Sequence, residues 1–298
     1  MSKTSVALTK GTERKENVAK ALRLIEDQID VSGKERILVK PNFVSTHDQT
    51  SATHADGVRA VLEFLRQRTS KQITIGESAA LGSAKHGFSN YGFLPFKKEF
   101  GVELVDFDDG EYVEVMAYNS HFKPMSLHLS RTAMESDLRI SVCLPKTHDN
   151  VIATLSLKNI VVGSLKRKQA IHQGYPAMNV NLYQMAQHVA PHLAVIDGFT
   201  GMEGNGPVGG DPVELGIAIA STDFLAADAV AATVMGFDPD KIGYLYYCGI
   251  KGMGTKDLGD MEILGETVQN CSARKFKPHS GYRRQLEWQV DGVERYLQ

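Results

Sequence analysis

The sequence predicts an α/β fold: a mainly parallel sheet covered by helices, with a β-hairpin region inserted at about residues 101–130. Three observations carry this. Apolar runs rich in β-branched residues, such as RILV (36–39), ITI (73–75), ISVCL (140–144) and LAVI (193–196), read as strands buried on both faces. Amphipathic stretches of helical length separate the early strands, which is the order of βαβ units. The 298 residues are 42% hydrophobic and 23% charged, ordinary for a globular chain and enough for one large α/β domain. That domain is assigned to residues 1–265, as one body or two interleaved lobes. A C-terminal extension over 266–298 follows, where the pattern fades.

The elements follow in order. Ser5–Thr9 opens as a short strand, and Glu13–Gln28 has helical periodicity with Val18, Leu22 and Ile25 on one face. Arg36–Asn42 is a strand pattern stopped by Pro41, Ala55–Gln67 an amphipathic helix, and Gln72–Glu77 the next strand. Gly82–Tyr91, rich in Gly, Ser and Asn, reads as a loop. VELVDFDD and EYVEVMAY within Gly101–Tyr118, broken at Asp108-Asp109-Gly110, read as a hairpin. Leu138–Leu144 is a buried strand stopped by Pro145, and Val151–Val162 and Asn181–Val189 read as helices. Leu193–Ile196 is a strand ending at Asp197-Gly198, followed by a Gly-rich loop. Gly216–Ala220 reads as a strand, Asp223–Met235 as an Ala-rich helix, Asp240–Cys248 as a helix and Met261–Leu264 as a last short strand.

Composition narrows the function classes. Lys and Arg number 33 against 35 Asp and Glu, a net charge of −2, so no field of one sign steers the chain toward nucleic acid or an anionic membrane. No apolar run suits a secretory leader or a membrane span, and a cytoplasmic protein is expected. Cys143, Cys248 and Cys271 form no CxxC pair. No zinc ribbon or cysteine-ligated iron–sulfur cluster is expected, only free thiols.

Ligands in open parallel sheets bind at the carboxyl ends of strands. Four strand ends here carry polar groups: Lys40-Pro41-Asn42, Gly76-Glu77-Ser78, Pro145 to Asn150, and Asp197-Gly198. If the strands are parallel, these ends converge, and Lys40, Asn42, Glu77, Ser78, Lys146 and Asp197 become candidates for binding a substrate or cofactor. The plain alternative is that Pro and Gly end strands and their polar neighbours are solvated.

The segment KTHDNVIATLSLKN is the most informative. On a helix, Asn150, Thr154 and Lys158 form one stripe among apolar residues, so Lys158 is expected to be buried. A buried lysine needs an anionic partner or loses its proton. Lys158 is therefore assigned as an anion-binding or covalent residue, with Asn159 beside it. His148, next to Asp149, is assigned as a general base or metal ligand, oriented by Asp149 or Asp197. His172 is a second candidate metal ligand. The preceding Lys166-Arg167-Lys168 reads as a solvated face or a phosphate site. Gly204 to Gly209 formally match GxGxxG. Their distance from the strand, Pro207 and the following strand argue against a dinucleotide site. Gly204 and Gly206 still suit close backbone approach to a ligand. His54 caps the helix after it or faces the site.

KPNFVS, ITIGES, LPKTHDNVIATLSLKN, LAVIDGFTGMEGNGPVGG and IASTDFLAADAVAATVMGFDP, spread over residues 35 to 250, resemble the motifs of the domain of unknown function 362 family. Many members carry a ferredoxin-like module with cysteine clusters; the three scattered cysteines here lead to the expectation of no such cluster. A segment-level likeness is also present. The order His148, Lys158, His172 is similar to the His–Lys–His order of lactate-racemase-like enzymes. That likeness implies a nickel pincer nucleotide, with a lysine linked to the cofactor and histidines at the metal and in catalysis. The expectation is a cytoplasmic enzyme, isomerase-, racemase- or redox-like, acting on a small anionic molecule, with a divalent metal or nucleotide-type cofactor. The alternative is a binding or accessory protein for a separate ferredoxin-like partner.

Overall fold

The computed structural model describes residues 3–272 and 274–298. In chain order the elements are β1 (Thr4–Lys10), α1 (Arg14–Leu24), β2 (Arg36–Lys40), α2 (Ala55–Arg66), β3 (Gln72–Glu77), α3 (Ala84–Asn90), α4 (Phe96–Phe100) and β4 (Glu103–Asp106). Then come β5 (Tyr112–Tyr118), β6 (Pro124–Ser130), α5 (Arg131–Glu135), β7 (Leu138–Cys143), β8 (Lys146–His148), β9 (Ile152–Thr154), α6 (Ser156–Val162) and α7 (Gly174–Val189). The chain ends with β10 (Leu193–Glu203), β11 (Asp211–Ser221), α8 (Phe224–Val234), α9 (Gly243–Ile250), β12 (Met261–Gly265), α10 (Val268–Cys271) and α11 (Tyr282–Gln285).

The main sheet runs β12-β1-β11-β10-β7-β2-β3-β4, with β8 and β9 attached to β10. The pairs β10–β7, β7–β2, β2–β3 and β3–β4 are all parallel, so the four apolar runs are consecutive neighbours. β11 is antiparallel to both β10 and β1. Each strand alternates between two apolar layers. Ile37, Val39, Leu193 and Val195 pack on the α1–α2 side, and Leu38, Ala194 and Ile196 pack on the side of α6, α7 and α8. Burial on both faces is what β-branched runs favour in a parallel sheet.

Several expectations change in detail. Residues 84–90 form α3 and not a loop. Ser83 Oγ accepts the His86 N–H at the helix start, and Phe88 buries itself against Phe43 with ring centroids 5.4 Å apart. VELVD does not fold back on EYVEV. β4 joins the main sheet beside β3, and a tight turn at Phe107–Asp109, capped by Asp106, redirects the chain. The separate antiparallel hairpin is β5 with β6. Asn150, Thr154 and Lys158 share no helix. Residues 152–154 pair with β8, Ile152 takes φ +69°, and helix α6 begins only at Ser156. A β-branched residue rarely adopts that backbone conformation, so apolar periodicity alone could not disclose the break. The Gly-rich loop shrinks to the turn at 204–210, because β10 and β11 continue as a long antiparallel pair. α7 starts seven residues before the expected Asn181, and α9 spans Gly243–Ile250 after a turn at Pro239–Lys241.

Candidate functional site

The carboxyl ends of β2 and β3, the β8–β9 hairpin, α6 and the turn at Lys168–Ile171 surround one cleft. At its floor Lys40, fully buried, donates to Glu77 Oε2, Asn159 Oδ1 and the Pro41 carbonyl, each at 2.8 Å. Glu77 is fixed from its other sides by the Phe43 N–H at 2.8 Å and the Ser78 N–H at 2.7 Å. Burial pushes the Lys40 amine down and the Glu77 carboxyl up, and their mutual contact opposes both. Asn42 Nδ2 also donates to Asn159 Oδ1, at 3.0 Å. Behind Asn42, Lys146 donates to Asn42 Oδ1 at 2.5 Å and to the Ser51 carbonyl at 2.7 Å. Burial pushes its amine down to about 7. Lys146 thus supports the floor and does not line the cleft.

Lys158 is different. It is 5% exposed and lines the cleft, yet its amine has no hydrogen bond and no carboxylate within 4.0 Å among the described residues. Burial pushes it down to about 7, with Asp149 opposing and Lys40 adding to the shift. Thr154 Oγ1, another lining group, is buried without a partner. α6 lacks a side-chain cap of its own. Asp228 of α8 supplies one, accepting the Ser156 N–H at 2.8 Å and the Leu157 N–H at 3.0 Å.

Two imidazoles complete the wall. His148 and His172 stack with ring centroids 6.0 Å apart and planes 22° from parallel. His172 Nδ1 lies 3.0 Å from the Lys168 carbonyl, an acceptor only, so that nitrogen carries the proton and Nε2 presents a lone pair. His148 Nδ1 accepts the Asn150 N–H at 3.0 Å, which places the proton of the neutral ring on Nε2. Asp149 Oδ1, also 3.0 Å from Nδ1, accepts a hydrogen bond from that nitrogen whenever it is protonated, as in the doubly protonated ring. Burial first, then Lys158, hold His148 well below the usual imidazole range. Gln285 Nε2 donates to the His148 carbonyl at 2.8 Å and anchors that residue from the C-terminal extension.

Lys40, Asn42, Glu77, Ser78, His148, Asp149, Lys158, Asn159 and His172 therefore meet in one place. Asp197 does not join them. It shares strand parity with Leu193 and Val195, so its side chain leaves the sheet on the α1–α2 side, where Arg14 holds it at 2.8 Å. Gly204 and Gly206 do not line the cleft, although the next residue, Pro207, does. A Cβ at Gly206 would fall 2.4 Å from the Thr147 carbonyl, so this glycine is needed for packing on β8. His54 caps α2, accepting the Asp56 N–H at 3.2 Å. Lys168 lines the cleft and is nearly buried. Within a basic tripeptide nothing sets it apart from solvated neighbours. Asp228 and Gln285 act from distant segments, with no local signal. No group of three or more His, Cys, Asp or Glu side chains arranged to hold a metal is found among the described residues. No helix among them is long and apolar enough to cross a membrane.

The family model for the domain of unknown function DUF362 matches residues 37–233. Thylakoid-associated protein sll1697 of Synechocystis sp. is 32% identical over 215 residues, 70% of this chain. The match spans 65% of that relative's length. Among solved structures, the lactate racemase apoprotein from Thermoanaerobacterium thermosaccharolyticum superposes with a TM-score of 0.50 at 11% identity. That likeness covers 78% of this chain and 57% of the other, and it concerns the fold.

Proposed function

The chain belongs to the DUF362 family, and on that premise we propose that it is an enzyme that holds a small anionic substrate or cofactor in the Lys158 cleft and moves a proton with the His148–His172 pair. One observation carries the reading. Among the described residues, Lys158, 5% exposed and with no hydrogen bond to its amine, and Thr154, whose buried hydroxyl has no partner, line the same cleft. Buried polar groups are satisfied in the great majority of structures, so the pair suits an oxyanion that binds to both. The imidazoles add the proton chemistry. His172 offers a lone pair and His148 an N–H, the complement for taking a proton from one atom and giving one to another. Asp149 stands ready to stabilise His148 when it is doubly protonated. A buried, charge-lined cleft favours this reading over an accessory module, for which a broad exposed apolar patch would be the sign.

Thermal unfolding of the wild type and Lys158→Met, each with acetate, malonate or phosphate at matched ionic strength, tests it. The wild type is expected to gain stability from at least one anion and the variant to gain little. Equal responses of the two proteins would overturn the assignment. A second reading has one observation in its favour: the Lys158 amine, which has no hydrogen bond among the described residues, and the lone pair of His172 Nε2 share the cleft with the His148 ring, a set that would suit a metal-bearing cofactor tethered through lysine. Such a group would supply electron-accepting chemistry that these side chains lack. Intact mass and elemental analysis of the purified protein separate the two readings.

A further inference from the structure

Lys158 is not the only cation in the cleft without an ion-pair partner. Lys168, carried by the turn at Lys168–Ile171, also lines the cleft. Its ammonium donates to the Ser78 hydroxyl and has no carboxylate within 4.0 Å among the described residues. The nearby carboxylates are engaged elsewhere. Glu77 is taken by Lys40 and two backbone N–H groups. Asp108 Oδ1 accepts from the hydroxyls of Ser78 and Tyr112, and Asp106 accepts the N–H groups of Asp108 and Lys85. The His172 ring is tied to both lysines: it is hydrogen-bonded to the Lys168 carbonyl and lies within electrostatic reach of Lys158. The imidazole pair and both lysines thus line one cleft.

A single carboxylate that meets Lys158 leaves the buried Lys168 ammonium with no carboxylate in direct contact among the described residues, its charge balanced only at a distance by Glu77, Asp108 and Asp106. We propose that the cleft is specific for a small molecule carrying two anionic groups, one met by Lys158 and Thr154 and the other by Lys168, which Ser78 holds in place. This rests on the reading of the cleft as an anion site. Lys158 fixes the anion beside the imidazoles, and Lys168 acts as the residue that distinguishes dianions from monoanions.

Calorimetric titration of the full chain with malonate and with acetate, at matched ionic strength, is the test. The wild type is expected to bind malonate at least about tenfold more tightly than acetate. Lys168→Gln retains a hydrogen-bonding group for Ser78 without the charge. It should bind acetate within about twofold of the wild type while losing most of the malonate preference. Lys158→Met should weaken both anions. Equal wild-type affinity for the two anions overturns the dianion proposal and leaves the anion site standing, as does a Lys168→Gln protein that keeps the preference. If neither anion binds the wild type, the anion site itself fails and the proposal falls with it. A phosphate arm separates one doubly charged group from two spaced ones: phosphate binding more tightly than malonate would overturn the two-group assignment. Lys168→Met serves as the second variant if Lys168→Gln does not fold.

Discussion

At the scale of single residues, Lys158 carries the most testable chemistry. Its amine is held down to about 7 in the folded protein against 10.5 when free, and burial is the main cause. As pH falls from about 10.5 to 7, the unfolded chain takes up a proton that the folded chain resists, so stability drops across that window. At about 1.4 kcal/mol per tenfold change in proton affinity, the penalty is bounded at about 5 kcal/mol. Lys158→Met removes it while keeping the apolar stem. The variant without ligand should therefore be at least as stable as the wild type at pH 7, and the difference should close by about pH 10. Urea unfolding at the two pH values decides this, and a variant markedly less stable at pH 7 would make Lys158 a structural residue. Lys40, Glu77 and His148 could be picked out from sequence because each stands at or just past an apolar strand, where a polar residue has few other reasons to be, and Lys158 because it is a lone charge in an apolar segment, although the helical stripe with Asn150 and Thr154 does not form. Asp197 looked the same, but a step of one residue along a strand changes the face. Lys168 hid in a basic run, since burial of one lysine among three is decided by a turn that the sequence does not mark.

At the scale of elements, α6 shows why helical periodicity misled. Residues 151–162 are mostly apolar, so the pattern admits a buried strand as readily as a buried helix. What places the helix start is Asp228, a residue of α8 some 72 positions away. Desolvation pushes its carboxyl up to about 7, against the N–H groups that stabilise the charge. A carboxyl raised above its free value of 3.8 gives stability that is complete below about pH 4 and lost as pH rises through about 7. Asp228→Asn should flatten this slope between pH 4 and 7, because the amide keeps an acceptor for one N–H and carries no charge. Asp228→Ala should remove the slope as well and, by leaving two buried N–H groups unmet, cost about 2–4 kcal/mol near pH 4, the cost shrinking toward pH 7. Parallel slopes for Asp228→Asn and the wild type would remove the cap from the pH account. The other end of α6 is equally constrained. A Cβ at Gly163 would lie 2.0 Å from Lys40 Nζ and 2.9 Å from the Asn159 carbonyl. Gly163→Ala should therefore break the Lys40–Glu77–Asn159 floor, at about 3–5 kcal/mol of stability and with loss of anion binding. An alanine variant with an unchanged melting midpoint would contradict that geometry.

At the scale of the whole molecule, the fading pattern after residue 266 conceals a segment that holds the site together. Phe276, Trp288, Val293 and Leu297 are buried in the same apolar layer as α6, α7 and α8. Trp288 donates to the Lys241 carbonyl at 2.7 Å and meets Tyr247 edge-on, with centroids 5.2 Å apart. The Lys277 carbonyl and N–H bond the Gly204 N–H at 2.7 Å and Glu203 Oε2 at 2.8 Å, pinning the tip of the β10–β11 pair. Gln285 reaches the His148 carbonyl. Short helices and single anchors leave little periodicity, because each apolar residue is placed by the surface it covers. A chain ending at Glu266 would retain every residue of the family match, 37–233, yet expose that layer and free the His148 loop. Burying one large side chain is worth about 1.5–3 kcal/mol, so four of them amount to much of a typical folding free energy. The shortened chain should bind a hydrophobic dye strongly and unfold at least about 10 °C below the full chain. Gln285→Leu tests the local part, because it removes one donor while keeping the packing. It should cost about 1–3 kcal/mol from the unmet carbonyl and weaken anion binding through the displaced imidazole. A shortened chain that melts with the full chain, or a Gln285→Leu protein with unchanged anion affinity, would show that the extension only covers the core and takes no part in shaping the cleft.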